Sequence, residues 1–176
     1  TKFLIMKHKL LLLYGWFVRS VLYFFPDIPV IMRLRGWLYG LGMKSCGKDF
    51  QVAHNAILNS LGFISVGNNV YIANNNVLIG NGVIFIGSET LIGPNCLLAA
   101  SEHVFFEKSY RFSKSKAIDI KINKGCWIGG NSTIIGGAVL PQRSILAGGS
   151  VLLKKTVKVN NSLYAGNPAK FIKKIN

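Results

Sequence analysis

Few side chains in this 176-residue chain can do acid–base or nucleophilic chemistry. There are three histidines (His8, His54, His103), three cysteines (Cys46, Cys96, Cys126) and six carboxylates in all. No CxxC pair occurs, and the cysteines and histidines show no zinc-site spacing, so no metal centre is expected. The cysteines read as reduced thiols of a cytosolic protein. Imidazole as a class titrates near pH 6.5, which suits proton abstraction at neutral pH. His103 stands in "LAASEHVF", residues 98–105. It is either such a base or a solvated histidine where a regular element ends. Glu102 precedes it, but neighbours in an extended segment point to opposite sides, so Glu102 would not orient the ring.

Charge narrows the partners. Against 21 lysines and arginines stand only those six acids, a net +15. Such a balance calls for an anionic partner: nucleic acid, a phosphorylated ligand or an acidic membrane. No recognition helix or RNA-binding aromatic pair is visible, so nucleic acid is not expected.

The elements that must hold these residues follow a six-residue period. From Ile122 the first position of each hexad is Ile122, Ile128, Ile134, Leu140, Leu146 and Leu152; the fifth is Cys126, Ser132, Ala138, Ser144, Ser150 and Thr156. One column is aliphatic throughout and the other small throughout. The first alone would arise by chance about one time in sixty. Neither a helix (3.6) nor a simple strand (2) has this period. A period of six is the signature of a parallel β-helix, each hexad a short strand plus a corner. The aliphatic residue points into the core, the small one fits the tight corner, and Gly and Asn supply the corner angles.

Earlier hexads begin at Val66, Ile72 and Leu78, then at Ile86 and Ile92. The two-residue slip after Leu78 predicts a local bulge. Between Leu98 and Ile122 the pattern vanishes into "HVFFEKSYRFSKSKAIDIK", aromatic and basic. That reads as a loop extruded from the solenoid at about 103–121.

Residues 3–25 are very apolar, interrupted by Lys7, His8, Lys9 and Arg19, with no uncharged run long enough to span a bilayer. No small-residue cleavage site follows Phe25. The expectation is a helix in the membrane interface, its aromatics buried and its cations among headgroups. Pro26 and Pro29 break it, and a second helix, "PVIMRLRGWLYGLG", carries Arg33 and Arg35. Alternatively both helices pack on the rest of the protein or on a neighbouring subunit. The chain thus divides into 1–45, apolar, basic and helical, and 46–176, mainly β.

Together, "IGPNCLLAASEH", "INKGCWIGGNSTIIGGAVL", "ILAGGSVLLKK" and "YAGNPAKFIKK" resemble the hexapeptide-repeat acyltransferases over residues 60–175. The nearest branch is that of galactoside, maltose and O-antigen or capsular-polysaccharide O-acetyltransferases. The resemblance implies a left-handed parallel β-helix of triangular, three-hexad coils, an exception to right-handed crossover. It also implies a homotrimer with active sites between subunits and acetyl-CoA along the groove. It places His103 as general base for direct acetyl transfer to a sugar hydroxyl. Trp127 falls beside acceptor or pantetheine, and Gly130 offers its N–H to the thioester carbonyl. Gly148 meets the pantetheine arm. Lys154, Lys170 and Lys173 meet the CoA phosphates, the last two where relatives often carry arginine. Lys155 stands where the branch often has aspartate. An acceptor-holding asparagine corresponds to Asn74 or Asn75 in "ANNN".

The acceptor expected is a surface-polysaccharide sugar, as polymer or lipid-linked precursor, met by a cytoplasmic enzyme peripheral on the inner membrane face. The alternatives are N-acetylation of a nucleotide-linked amino sugar and a non-catalytic β-helix scaffold. A zinc enzyme of the carbonic anhydrase type on the same helix would need three suitably spaced histidines, which are lacking.

Overall fold

A computed structural model describes residues 2–175, with side chains from Met6 onward. Residues 1 and 176, the outer ends of the two expected segments, and the side chains that open the apolar N-terminal run lie outside it. Two helices come first, α1 (Lys2–Leu22) and α2 (Pro29–Gly42), the second beginning at the expected proline.

A three-sided parallel solenoid follows. Its first face runs from Ser45–Cys46 through Ile64–Val66, Ile84–Ile86 and Ile120–Ile122 to Val139–Leu140. The second runs from Gln51–Val52 through Tyr71–Ile72, Leu91–Ile92, Trp127–Ile128 and Ile145–Leu146 to Ser162–Gly166. The third runs from Ile57–Leu58 through Val77–Gly80, Leu97–His103 and Thr133–Ile135 to Val151–Leu152. The antiparallel strand Ala169–Lys174 folds back on the end of the second face.

The hexad columns are the core. Ile122, Ile128, Ile134, Leu140, Leu146 and Leu152 are all fully buried. The small column from Cys126 to Ser150 is buried too, and Thr156 is half-buried as the repeat runs out. At one corner Asn75, Asn95 and Asn131 stack in the left-handed conformation, with φ of 58, 61 and 60°. Asparagine tolerates that region better than most residues.

The slip after Leu78 is not an isolated bulge. Ser45, Ser65 and Phe85 are stacked partners 20 residues apart, whereas Lys121 and Val139 are 18 apart. The two extra residues enter between the third and first faces, after Leu58 and again after Leu78. The same corner extrudes the loop after Leu98. The wider corner on the lower coils is therefore a stacked feature, and the loop is its extreme case.

Both helices cover the solenoid's open lower end, where the first strands would otherwise expose an unpaired edge. Gly15 of α1 lies against Leu61 and the Leu58 carbonyl, and Gly36 of α2 against the Phe50 carbonyl. Val18, Leu22, Met32 and Tyr39 are buried there. Arg35, read from sequence as one of the second helix's cations, is only 1% exposed. Its guanidinium ties the α1–α2 turn together by donating to the Leu22, Phe25, Pro26 and Val52 carbonyls and to Asp27.

Candidate active site

His103 ends the seven-residue strand Leu97–His103. Its first residues sit in the parallel ladder, with Leu98 between Leu78 and Ile134. Its last three leave the solenoid and pair antiparallel with Ser115–Ala117, His103 opposite Ser115. The loop is therefore a hairpin whose stem holds the histidine, an element the sequence did not show. Asn81 anchors the stem by donating to Ser115 Oγ (3.2 Å), and the Asp119 carboxylate closes its base by accepting from the Val83 amide (2.7 Å). The imidazole is exposed, and among the described residues no side chain bonds to it. Glu102 lies on the other side of the strand, as alternation requires. At the tip Val104, Phe105, Phe106, Tyr110 and Phe112 are all exposed.

The other candidates gather elsewhere. His54, Asn74, Pro94, Gly130 and Gly148 each stand two residues past a buried member of the second face: Val52, Ile72, Ile92, Ile128 and Leu146. They form one column at the corner between second and third faces. The Gly130 carbonyl accepts from the Gly149 amide (2.9 Å). The N–H groups of Gly130 and Gly148 make no hydrogen bond among the described residues. A Cβ on Gly130 would come within 3.1 Å of the Pro94 carbonyl, and one on Gly148 within 3.1 Å of the Gly130 carbonyl. At Gly130 and Gly148 the column is thus bare backbone with two unspent donors, suited to an extended thioester and its carbonyl oxygen. Trp127 stands on the second face beside this column and is 51% exposed.

Of the three asparagines, Asn76 is buried and structural. Its Nδ2 donates to the Ala73 and Gly93 carbonyls, and its Oδ1 accepts from the Cys96 amide. Asn75 is bound to Asn55 in the left-handed corner. Asn74 is half-exposed, and its Nδ2 donates to Asp27 Oδ2 at 2.8 Å. His54 Nδ1 meets the same oxygen at 2.8 Å, and the His54 amide donates to Oδ1 at 2.9 Å. Arg35 Nη1 donates to Oδ1 at 2.7 Å. Burial pushes the Asp27 carboxyl up, but the hydrogen bonds from His54 and Asn74 outweigh it and hold the group below the usual carboxylate value. Sequence reasoning missed Asp27 and His54. The available signal was that Asp27 is the sole acid in the first 48 residues.

The lysines fall at the solenoid's far end. Lys155 and Lys170 line one groove of about 400 Å³ with Thr156, Val157 and Phe171. Lys154 lies against Gly137, and Lys173 sits opposite Leu163 on the last hairpin. Asn167–Pro168, with its cis bond, makes the turn. All three cysteines are free. Burial raises each thiol pKa, that of Cys126 to about 11, which leaves them poor nucleophiles. Among the described residues no group of three His, Cys, Asp or Glu could hold a metal.

No protein-family model matches the chain. A putative acetyltransferase of Saccharomyces cerevisiae is 39% identical over 59 residues, 34% of this chain and 29% of that protein. The match therefore spans less than a third of the curated relative. The structure superposes on a hexapeptide-repeat-containing acetyltransferase of Vibrio cholerae complexed with acetyl coenzyme A. There the TM-score is 0.80 and the identity 21%, over 96% of this chain and 88% of that one. A maltose O-acetyltransferase of Clostridium difficile gives 0.79 and 23%, over 95% and 89%. An N-acyltransferase variant of Bacillus cereus, in complex with dTDP-4-amino-4,6-dideoxyglucose and coenzyme A, gives 0.62 and 18%, over 80% and 88%. At these identities the shared property is the fold.

Proposed function

We propose that this chain, a solenoid with the fold of the hexapeptide-repeat acetyltransferases, is an acetyl-CoA-dependent O-acetyltransferase. It acts on a sugar hydroxyl of a bacterial-type surface polysaccharide or its lipid-linked precursor. The observation that carries the reading is how the third face divides the candidates. An exposed imidazole stands at one end, and a bare glycine column with two unspent amides stands at the other.

His103 takes the proton of the acceptor hydroxyl as its oxygen forms a bond to the thioester carbonyl carbon. The Gly130 amide donates to the carbonyl oxygen as negative charge develops there. When the carbon–sulfur bond breaks, His103 returns the proton to the departing sulfur, so the base is regenerated without a covalent enzyme intermediate. Gly148 and Trp127 line the pantetheine path. Lys154, Lys170 and Lys173 meet the phosphates as point charges. Asn74 or Asn75 holds the acceptor.

The reading joins the two ends in one site through a second copy, because within one chain they lie a strand's length apart. The Asn95 amide donates to the Asn74 carbonyl, so Asn74 lies level with the start of the strand that ends at His103. Six steps from Leu97 to His103 span about 20 Å. In this reading a second copy brings its own corner to this histidine. Outward, largely apolar rows on two adjacent faces support self-association: Tyr71, Leu91, Trp127, Ile145 and Leu163 on one, Ile57, Val77, Leu97, Thr133 and Val151 on the other. Two different apolar faces on one copy fit a closed heterologous ring, the homotrimer. We take it to act in the cytoplasm, peripheral on the inner membrane face, a reading that the apolar, basic N-terminal helices support. Among the described residues no helix is long and apolar enough to cross a membrane.

The test is thiol release from acetyl-CoA in the presence of saccharide acceptor. His103→Ala is expected to slow it by about 10²–10⁴-fold. Undiminished release sinks the assignment, and no release from the unaltered protein favours a scaffold. A second reading, N-acetylation of a nucleotide-linked amino sugar, draws on the aminosugar nucleotide bound by the Bacillus cereus neighbour. Mild alkali separates the two, because it removes an ester acetyl and leaves an amide.

A further inference from the structure

Each N-terminal helix carries two apolar stripes, and the fold uses one of each. On α1 the buried stripe is Gly15, Val18 and Leu22, set on the solenoid's end; on α2 it is Met32, Gly36 and Tyr39. The second stripe of α1 is Met6, Leu10, Leu13 and Phe17, each 56% exposed or more, and Phe24 in the turn beyond it is 91% exposed. That of α2 is Val30, Leu34, Trp37 and Leu41, 41–69% exposed. At 100° per residue both outer stripes fall on the side of the helix away from the buried one. The helices lie on the same end, so the two stripes and the exposed turn Tyr23–Phe24–Phe25–Ile28 form one apolar base under the solenoid. Such a continuous surface marks an interaction site.

Charge identifies the occupant. Lys7, Lys9, Lys44 and Lys48, on α1 and the first coil, are exposed and make no ion pair among the described residues, whereas Arg33 is paired with Asp49 and Arg19 packs toward the solenoid beside Ile57 and Asn59. The only acid before residue 49, Asp27, is spent on Arg35, His54 and Asn74. A second copy set base to base would oppose these cations to themselves. An anionic bilayer complements them and accepts the aromatics at headgroup depth.

We infer that α1 and α2 together are a lipid-docking base that holds the solenoid upright on an anionic bilayer, so that His103 stands clear of the headgroups. The strand of His103 is two ladder steps above Ile57–Leu58, the lowest strand of its face. Two steps of about 4.8 Å, and roughly 10 Å between strand and helix axis, put it on the order of 20 Å above the helix axes. The docking stands independently of any catalysis. Its consequence for the acceptor rests on the proposed acetyl transfer: the acetylated sugar is one carried away from its lipid, not one against the headgroup.

The test uses the full chain with vesicles of phosphatidylcholine, with and without phosphatidylglycerol. Flotation is expected with the anionic vesicles only. The bound fraction should fall at least tenfold in a protein carrying Leu13→Glu, Phe17→Glu, Leu34→Glu and Trp37→Glu, and at high salt. Circular dichroism and melting temperature report whether that variant still folds; the paired lysine changes Lys7→Gln and Lys9→Gln give a milder version of the same loss. Orientation is read from the three tryptophans, Trp16, Trp37 and Trp127. Brominated lipid should quench Trp37 fluorescence and spare Trp127, as shown by the residual signal of Trp16→Phe/Trp37→Phe. No flotation, equal binding to neutral vesicles, equal quenching of Trp127, or a base-to-base assembly that the stripe variant dissociates overturns the inference. Absence of acetyl transfer with flotation intact would count against the catalytic reading alone.

Discussion

Asn74 and His103 lie at opposite ends of one solenoid face, separated by the length of the strand Leu97–His103. If acceptor and base belong to one site, they come from different copies. Asn74→Ala and His103→Ala proteins should each be inactive alone yet recover activity when unfolded together and refolded as mixed assemblies. Random mixing in a cyclic trimer leaves about a quarter of the sites with both groups intact. Recovery near that level in a thiol-release assay is expected. No recovery, with both variants folded, places the site within one chain.

The lysines at the far end give a separable prediction. Lys170→Ala, in the groove it shares with Lys155, should raise KM for acetyl-CoA roughly tenfold or less and leave kcat nearly unchanged. The effect should shrink as salt rises, because these cations are exposed. A fall in kcat at constant KM would move Lys170 from cofactor binding to structure.

The core was legible because a six-residue aliphatic column has one geometric reading. Ile128, Ile134 and Leu140 are buried where the period puts them. Three things were not. The wider corner after Leu58 lies in a coil before the clear hexads begin, so its recurrence after Leu78 looked like a single slip. The stem strand Ser115–Ala117 is exposed throughout and carries no apolar alternation, so nothing marked it as a strand. The Asp27–Asn74 bond joins residues 47 apart, a separation no local pattern records. Within the site, the residues legible from sequence were those inside repeat-like motifs. Asp27 belongs to the turn between the two helices, which has no repeat, and His54 to the first coil, below the point where the clear hexads begin.

Two glycines separate crowding from backbone conformation. A Cβ on Gly36 would overlap the Phe50 carbonyl, which is backbone and cannot step aside. Gly36→Ala should push α2 off the solenoid's end and cost about 3 kcal/mol or more. Gly149 has φ of +70° with nothing within 4 Å of a built Cβ. Gly149→Ala meets only the left-handed penalty of about 1–2 kcal/mol. Denaturant midpoints of the two variants are expected in that order. Reversal would mean that the helices contribute little to the stability of the cap.

The junction predicts an acid-sensitive cap. Burial works against the Asp27 carboxylate, but the hydrogen bonds from His54 and Asn74 outweigh it and hold the group below the usual carboxylate value. A carboxylate depressed in the folded state contributes stability above its unfolded value of about 3.9, and this is lost as pH falls through the folded value. Asp27→Asn should therefore melt lower than the unaltered protein near neutral pH, and the gap should narrow below about pH 4. Asp49, lowered by Arg33, is present in both proteins and cancels in the difference. Melting temperatures from pH 2 to 7 measure it, with vesicle flotation alongside, because a loosened α1–α2 turn should release the base from the bilayer over the same range. A constant gap across the titration would show that Asp27 holds the turn through shape rather than charge.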